Sequence, residues 1–134
     1  MLHTHSVRHL SVSIACAPAR AYAFLCVPEH FCHWASGLAQ GLREVDGEWL
    51  ASTPSGELRV RFSTPNELGV LDHWVYLQPD APLYIPLRLL ANGTGCELVL
   101  SLYRQAEMSE AQFAADAEWV LRDLQTAKRL LEAL

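Results

Sequence analysis

Residues 109–131 read SEAQFAADAEWVLRDLQTAKRLL, and this stretch decides the fold. Phe113, Ala117, Val120, Leu124, Ala127 and Leu131 recur at intervals of three and four. That spacing lays one apolar stripe along a helix of about six turns. Ser109, with Gln112 three residues on, fits a capping box at its start. Asp116, Glu118, Arg122, Asp123 and Arg129 take the remaining surface. A helix of this length needs an apolar partner equally long, and the preceding sequence supplies strands.

Residues 7–15 alternate, with Leu10, Val12 and Ile14 on one face and His9, Ser11 and Ser13 on the other, the pattern of a half-buried strand. Pro18 suits the first turn of a short helix with Tyr22, Leu25 and Cys26 on its apolar side. Pro28 ends that helix, and residues 28–34 form a second short one. Asp46-Gly47 marks a hairpin between residues 42–45 and 48–51. Strands then follow at 57–63, 69–77, 83–90 and 96–104, separated by Pro, Gly, Asn and Asp clusters. The order predicts a two-layer α+β domain spanning 1–134, a curved antiparallel sheet wrapped on the last helix.

At 134 residues, with 51% hydrophobic and 19% charged residues, the chain has material for one core. Its formal charge of −5 and ten Lys and Arg argue against a nucleic-acid partner, which requires clustered basic surface. No apolar run reaches the length of a membrane span, and the N-terminus lacks the apolar middle of a secretory signal. A cytoplasmic location is expected. Cys16, Cys26, Cys32 and Cys96 form no C-x-x-C pair and are expected as free thiols.

Three stretches resemble the START-like superfamily, also called SRPBCC, whose members include polyketide cyclases, lipid-transfer proteins and chaperone activators. They are Val12–Leu25 with Pro28-Glu29-His30-Phe31 and Trp34; Gly69–His73 with Ile85-Pro86-Leu87-Arg88 and Asn92-Gly93; and Phe113–Leu124. The resemblance implies a helix-grip fold with a cavity between sheet and closing helix. It implies binding of a small hydrophobic or aromatic molecule, or a cyclase/dehydrase activity, or a role as an interaction protein.

Simple hairpins would place Leu58, Val60, Phe62, Leu71, His73, Val75, Leu83, Ile85, Leu87, Leu98 and Leu100 on one face. The expected ligand-binding wall is Tyr22, Trp34, Val60, Phe62, Leu71, His73, Ile85, Leu87, Leu98, Leu100, Trp119 and Val120. His73 is its polar exception, either a candidate acid/base or a core histidine satisfied by a backbone carbonyl. Arg59, Asp72, Arg88 and Glu97 would form a charge ladder on the opposite face, unless a one-residue slip turns Arg88 inward. Trp74, Tyr76, Tyr84 and Pro86 share that outer face and mark a candidate homodimer interface. Cys26, His30, Cys32 and His33 match no standard zinc spacing, so no metal is expected. His3 at the third position could bind Cu(II) or Ni(II), as in any flexible chain. No Ser-His-Asp triad or Gly-rich phosphate loop is identifiable, and no cofactor is expected.

Overall fold

The computed structural model describes residues 1–134. Its elements are β1 (Val7–Ile14), α1 (Pro18–Leu25), two 3-10 turns (Pro28–His33 and Ser36–Leu38), β2 (Leu42–Val45), β3 (Glu48–Thr53), β4 (Gly56–Phe62), β5 (His73–Gln78), β6 (Ala81–Ile85), β7 (Leu87–Asn92), β8 (Gly95–Tyr103) and α2 (Glu110–Glu132). The strands form two antiparallel sheets, ordered β1-β8-β7 and β2-β3-β4-β5-β6. The long helix lies along β1, on the concave side. The expected α+β architecture, a curved sheet on a closing helix, is the architecture observed.

Local chemistry explains the turns. Asp46 and Gly47 both carry positive φ, 52° and 81°, matching the twist of the β2–β3 hairpin. Pro18 opens α1 where the missing N–H costs nothing. At the start of α2 the Ser109 hydroxyl accepts from the Gln112 backbone N–H at 3.1 Å. The reciprocal half of the capping box is absent, because the Gln112 side chain donates to Asp116 instead, at 2.8 Å.

The structure revises the strand reading in two places. The expected strand 83–90 is broken into β6 and β7 at Pro86, which has no N–H to give a ladder. The Pro86 carbonyl accepts from Ser101 N at 3.1 Å, so the break bends toward β8. The expected strand 69–77 is likewise divided. Leu71 N donates to Leu87 O and Leu89 N to Gly69 O, both at 2.8 Å, before β5 turns away to pair with β4 and β6. One segment therefore stitches the two sheets together. Gly69 makes that approach possible: its φ is 73°, and a Cβ there would lie 2.2 Å from the Leu89 carbonyl oxygen.

The core is one cluster of 19 buried residues drawn from both sheets, α1, the 3-10 turns and α2. Leu25, Leu87, Leu98 and Leu124 are wholly enclosed, each contributing roughly 1.5–3 kcal/mol of burial. The far end of α2 is fastened by polar contacts. Lys128 Nζ donates to Ser13 O at 2.6 Å, and Ala15 N donates to the Glu132 carboxylate at 2.8 Å. No helix is long and apolar enough to cross a membrane.

Candidate functional site

Toward the other end of α2 the helix and sheet separate around a cavity of about 290 Å³. Of its 20 lining residues 14 are hydrophobic, which makes the interior suited to an apolar body. One wall is the chain from Trp34 to Leu38. A second is the α2 face that carries Asp116, Trp119, Val120 and Asp123, residues at helical spacing. The sheet supplies Leu58, His73, Val75, Leu83, Ile85 and the β8 run Leu100–Tyr103.

The register explains which strand residues face inward. Phe62 pairs with His73 and His73 with Ile85, while Val60 pairs with Val75 and Val75 with Leu83. Leu87 opposes Leu100 and Leu89 opposes Leu98. Residues at even spacing on these strands thus share the concave face.

Of the expected wall residues, Trp34, His73, Ile85, Leu100, Trp119 and Val120 line the cavity. Val60, Leu71, Leu87 and Leu98 do not: they are at most 4% exposed and closed off by core packing. Phe62 is also outside the lining, held against Phe31, Trp49 and His73. Tyr22 faces away from it, its hydroxyl accepting from Asn66 N at 2.9 Å. Parity chooses the face but not the place along the sheet where the helix lifts away.

His73 is buried, with the Phe31 ring edge-on at 5.2 Å. Its Nδ1 lies 3.4 Å from the Leu71 carbonyl oxygen, a long contact. Burial pushes its pKa down from 6.5 to about 4, against smaller opposing effects of the Leu71 carbonyl and Asp72. The ring is therefore neutral near pH 7. Trp34 is 4% exposed, and its Nε1 is the single buried side-chain N or O atom without a hydrogen-bond partner.

Asp123, assigned to the exposed helix surface from spacing, lines the cavity. Ser36 donates to it twice, from N at 3.1 Å and Oγ at 2.8 Å, and Trp119 Nε1 donates to the same Ser36 hydroxyl. Burial raises its pKa, partly offset by those Ser36 bonds. No spacing rule announces this group, because its partner Ser36 is 87 residues away.

The outer face departs from a simple charge ladder. Asp72 is 4% exposed. It accepts from Arg88 Nε at 2.9 Å and Nη2 at 2.8 Å, from Leu87 N at 2.9 Å and from the Tyr84 hydroxyl at 2.7 Å. Burial pushes its carboxyl up, but the bonds from Arg88, Tyr84 and Leu87 outweigh it and hold the group below its usual range. Arg88 therefore points outward, away from the cavity. Arg59 pairs with Glu48, and Glu97 accepts from Ser13 and Asn92, so the four charges do not run as one ladder.

The outer aromatic cluster is likewise modified. Pro86 is buried and cannot serve an interface. Arg59 lies 3.9 Å over the Tyr76 ring and Arg61 4.3 Å over Trp74. Tyr84 stacks on Trp74 at 5.3 Å and also reaches the cavity lining. Cys26, His30, Cys32 and His33 do not converge. His30 Nδ1 is 2.7 Å from Phe24 O, and the Cys26 thiol donates to Ala23 O.

Neither a family profile nor a curated protein sequence matches the chain. Solved structures do. Aha1 from Colwellia psychrerythraea, determined in solution as a dimer, superposes over 95% of this chain and 96% of its own, with a TM-score of 0.69 and 12% identity. DynU16, a protein in the dynemicin biosynthetic locus, matches over 94% of this chain and 47% of its own, with a TM-score of 0.69 and 12% identity. Ara h 8.0201 matches over 96% and 99%, with a TM-score of 0.58 and 10% identity. The fold is START-like helix-grip. At such identities the helix-grip likeness describes architecture, and activity has to be argued from the cavity.

Proposed function

We propose that this helix-grip domain binds a small molecule with a largely apolar or aromatic body in the cavity between α2 and the sheet. The observation that carries this reading is the cavity itself: about 290 Å³, chiefly apolar, with a few polar groups at fixed positions. Its volume is near the lower end of the roughly 300–1,000 Å³ typical of small-molecule sites. That suits a one- or two-ring compound better than a long acyl chain.

The residues favour binding over acid/base turnover. A histidine with a pKa of about 4 is neutral near pH 7 but too weakly basic to take a proton efficiently there. Neutral His73 is suited to a hydrogen bond with a ligand. A cyclase/dehydrase role would have to recruit a carboxylate as well, and the lining offers Asp116 and Asp123.

The test uses 1-naphthylamine, an uncharged two-ring fluorescent probe. Wild-type protein should bind it saturably with enhanced emission. Leu83→Trp, which fills the cavity from the edge strand β6, should abolish binding while leaving Tm nearly unchanged. Equal binding by both proteins would place the probe elsewhere and end the proposal. Homodimerisation through Trp74, Tyr76 and Tyr84 is a subordinate proposal, prompted by the dimeric Aha1 neighbour. Sedimentation velocity of wild type against Trp74→Glu checks it, and a monomer at every concentration would reject it.

A further inference from the structure

His73 brings an unanswered polar atom to the cavity. It sits in β5 between Phe62 of β4 and Ile85 of β6, is only 6% exposed, and belongs to the cavity lining. A neutral imidazole has one N–H and one bare nitrogen, and the neighbours of the ring decide which is which. Nδ1 lies 3.4 Å from the Leu71 carbonyl oxygen. A carbonyl oxygen can only accept, so the proton belongs on Nδ1. The contact is long, but the other tautomer would turn two lone pairs toward each other. Nε2 is left as an acceptor, and no group of the protein donates to it.

That nitrogen is not sealed in. Trp34 Nε1 alone among the buried side-chain nitrogens and oxygens lacks both a partner and accessible surface. Nε2 has no partner either, so it retains surface, and in a residue buried this deeply that surface opens on the cavity it lines. Neighbouring rings hold the imidazole in place, Phe31 edge-on at 5.2 Å and Phe62 at 6.0 Å. A bare acceptor in apolar surroundings is costly, and an O–H on an occupant would satisfy it. A ketone, ether or carboxylate oxygen in the same place would set lone pair against lone pair.

We propose that the ligand is a hydroxylated aromatic compound, of phenol or naphthol type, whose O–H donates to His73 Nε2 while its rings fill the apolar part of the cavity. This deepens the binding function proposed above and rests on it. His73 then acts as a specificity group that separates hydroxylated rings from their methylated and O-methylated counterparts.

Three ligands of similar shape test it: 2-naphthol, 2-methylnaphthalene and 2-methoxynaphthalene. Each is titrated into the full chain near pH 7, followed by displacement of 1-naphthylamine or by protein NMR. In His73→Leu the affinity of naphthol relative to methylnaphthalene should fall about fivefold, the size of one net hydrogen bond. The affinity of methoxynaphthalene relative to methylnaphthalene should not fall. A naphthol ratio indifferent to the substitution overturns the proposal. A second measurement needs no variant to fold: proton–nitrogen NMR correlation of the histidine rings in the wild type. It should show His73 protonated at Nδ1, with the Nε2 resonance moving upfield on addition of naphthol but not of methylnaphthalene. A proton on Nε2, or an Nε2 resonance that ignores naphthol, also overturns it. If 1-naphthylamine binds and Leu83→Trp excludes it, yet the naphthol ratio does not depend on His73, the hydroxyl assignment falls alone. If none of the four compounds binds, the cavity reading falls with it.

Discussion

Replacing His73 by leucine should remove the acid sensitivity that this buried imidazole gives the fold between about pH 6.5 and pH 4. The unfolded chain takes up a proton at His73 near pH 6.5, whereas the folded protein resists until about pH 4. Between those values the unfolded state binds more protons, so stability must rise with pH and fall as the solution is acidified. The slope approaches about 1.4 kcal/mol per pH unit for one group. Integrated from pH 7 to pH 4, the loss is about 3 kcal/mol, a sizeable part of the roughly 5–15 kcal/mol that holds a domain together. In thermal melts that is on the order of 10 °C. Asp123, with its raised pKa, works in the opposite direction and flattens the wild-type curve. It is present in both proteins, so the difference between them isolates His73. The assay is urea unfolding of wild type and His73→Leu at half-unit steps from pH 7.5 to 4. Acidification from pH 7 to pH 4 should shift the difference between the two stabilities by about 3 kcal/mol in favour of the variant. Parallel curves would refute the claim that His73 is buried in its neutral form.

Leu124→Ala, at a fully enclosed position of α2, should cost about 2–5 kcal/mol in denaturant unfolding. Gly69→Ala should destabilise strongly, because its Cβ would meet the Leu89 carbonyl at 2.2 Å in a backbone with φ of 73°; amide exchange should show the loss first at Leu71 and Leu89. Arg88→Met strips two bonds from a buried carboxylate, but the arginine side chain is 46% exposed, so a discounted loss of about 1–2 kcal/mol is expected at pH 7. Asp72 has a depressed folded-state pKa, so that cost should shrink as pH falls below the ordinary carboxylate range and Asp72 protonates, which pH-dependent melts would show.

The architecture was legible because two periodicities of the sequence are nearly undisturbed. The stripe from Phe113 to Leu131 needs a helix, and the alternation in residues 57–63, 73–77 and 96–103 needs strands with one apolar face. Short turns such as Asp46-Gly47 then settle the register. What escaped the sequence depends on contacts distant along the chain. Asp72 and Arg88 could be placed on the outer face by parity, but the depth of Asp72 follows from the fold at Pro86 that brings Leu87 N and Tyr84 to it. Asp123 sits at a polar helix position, and only the return of the chain at Ser36 makes it part of a cavity. Leu87 and Leu98 share the face of His73, yet α1 packs against their strands and they are fully enclosed. Periodicity assigns a side chain to a face; it carries no information on where two layers part.

The pairing of β1 with β8 has a bearing on how the molecule is made. Val7 opposes Tyr103 and Ile14 opposes Cys96, so the first strand waits for partners more than eighty residues downstream. The five strands from Leu42 to Ile85, by contrast, pair only with sequence neighbours. Hairpins of that kind can form as the chain emerges from the ribosome, while loop closure across the whole domain is slow. During synthesis the β2–β6 meander therefore exposes its concave apolar face until β8 and α2 arrive. The same surface that later lines the cavity is, for that interval, the part of the nascent chain most in need of a chaperone.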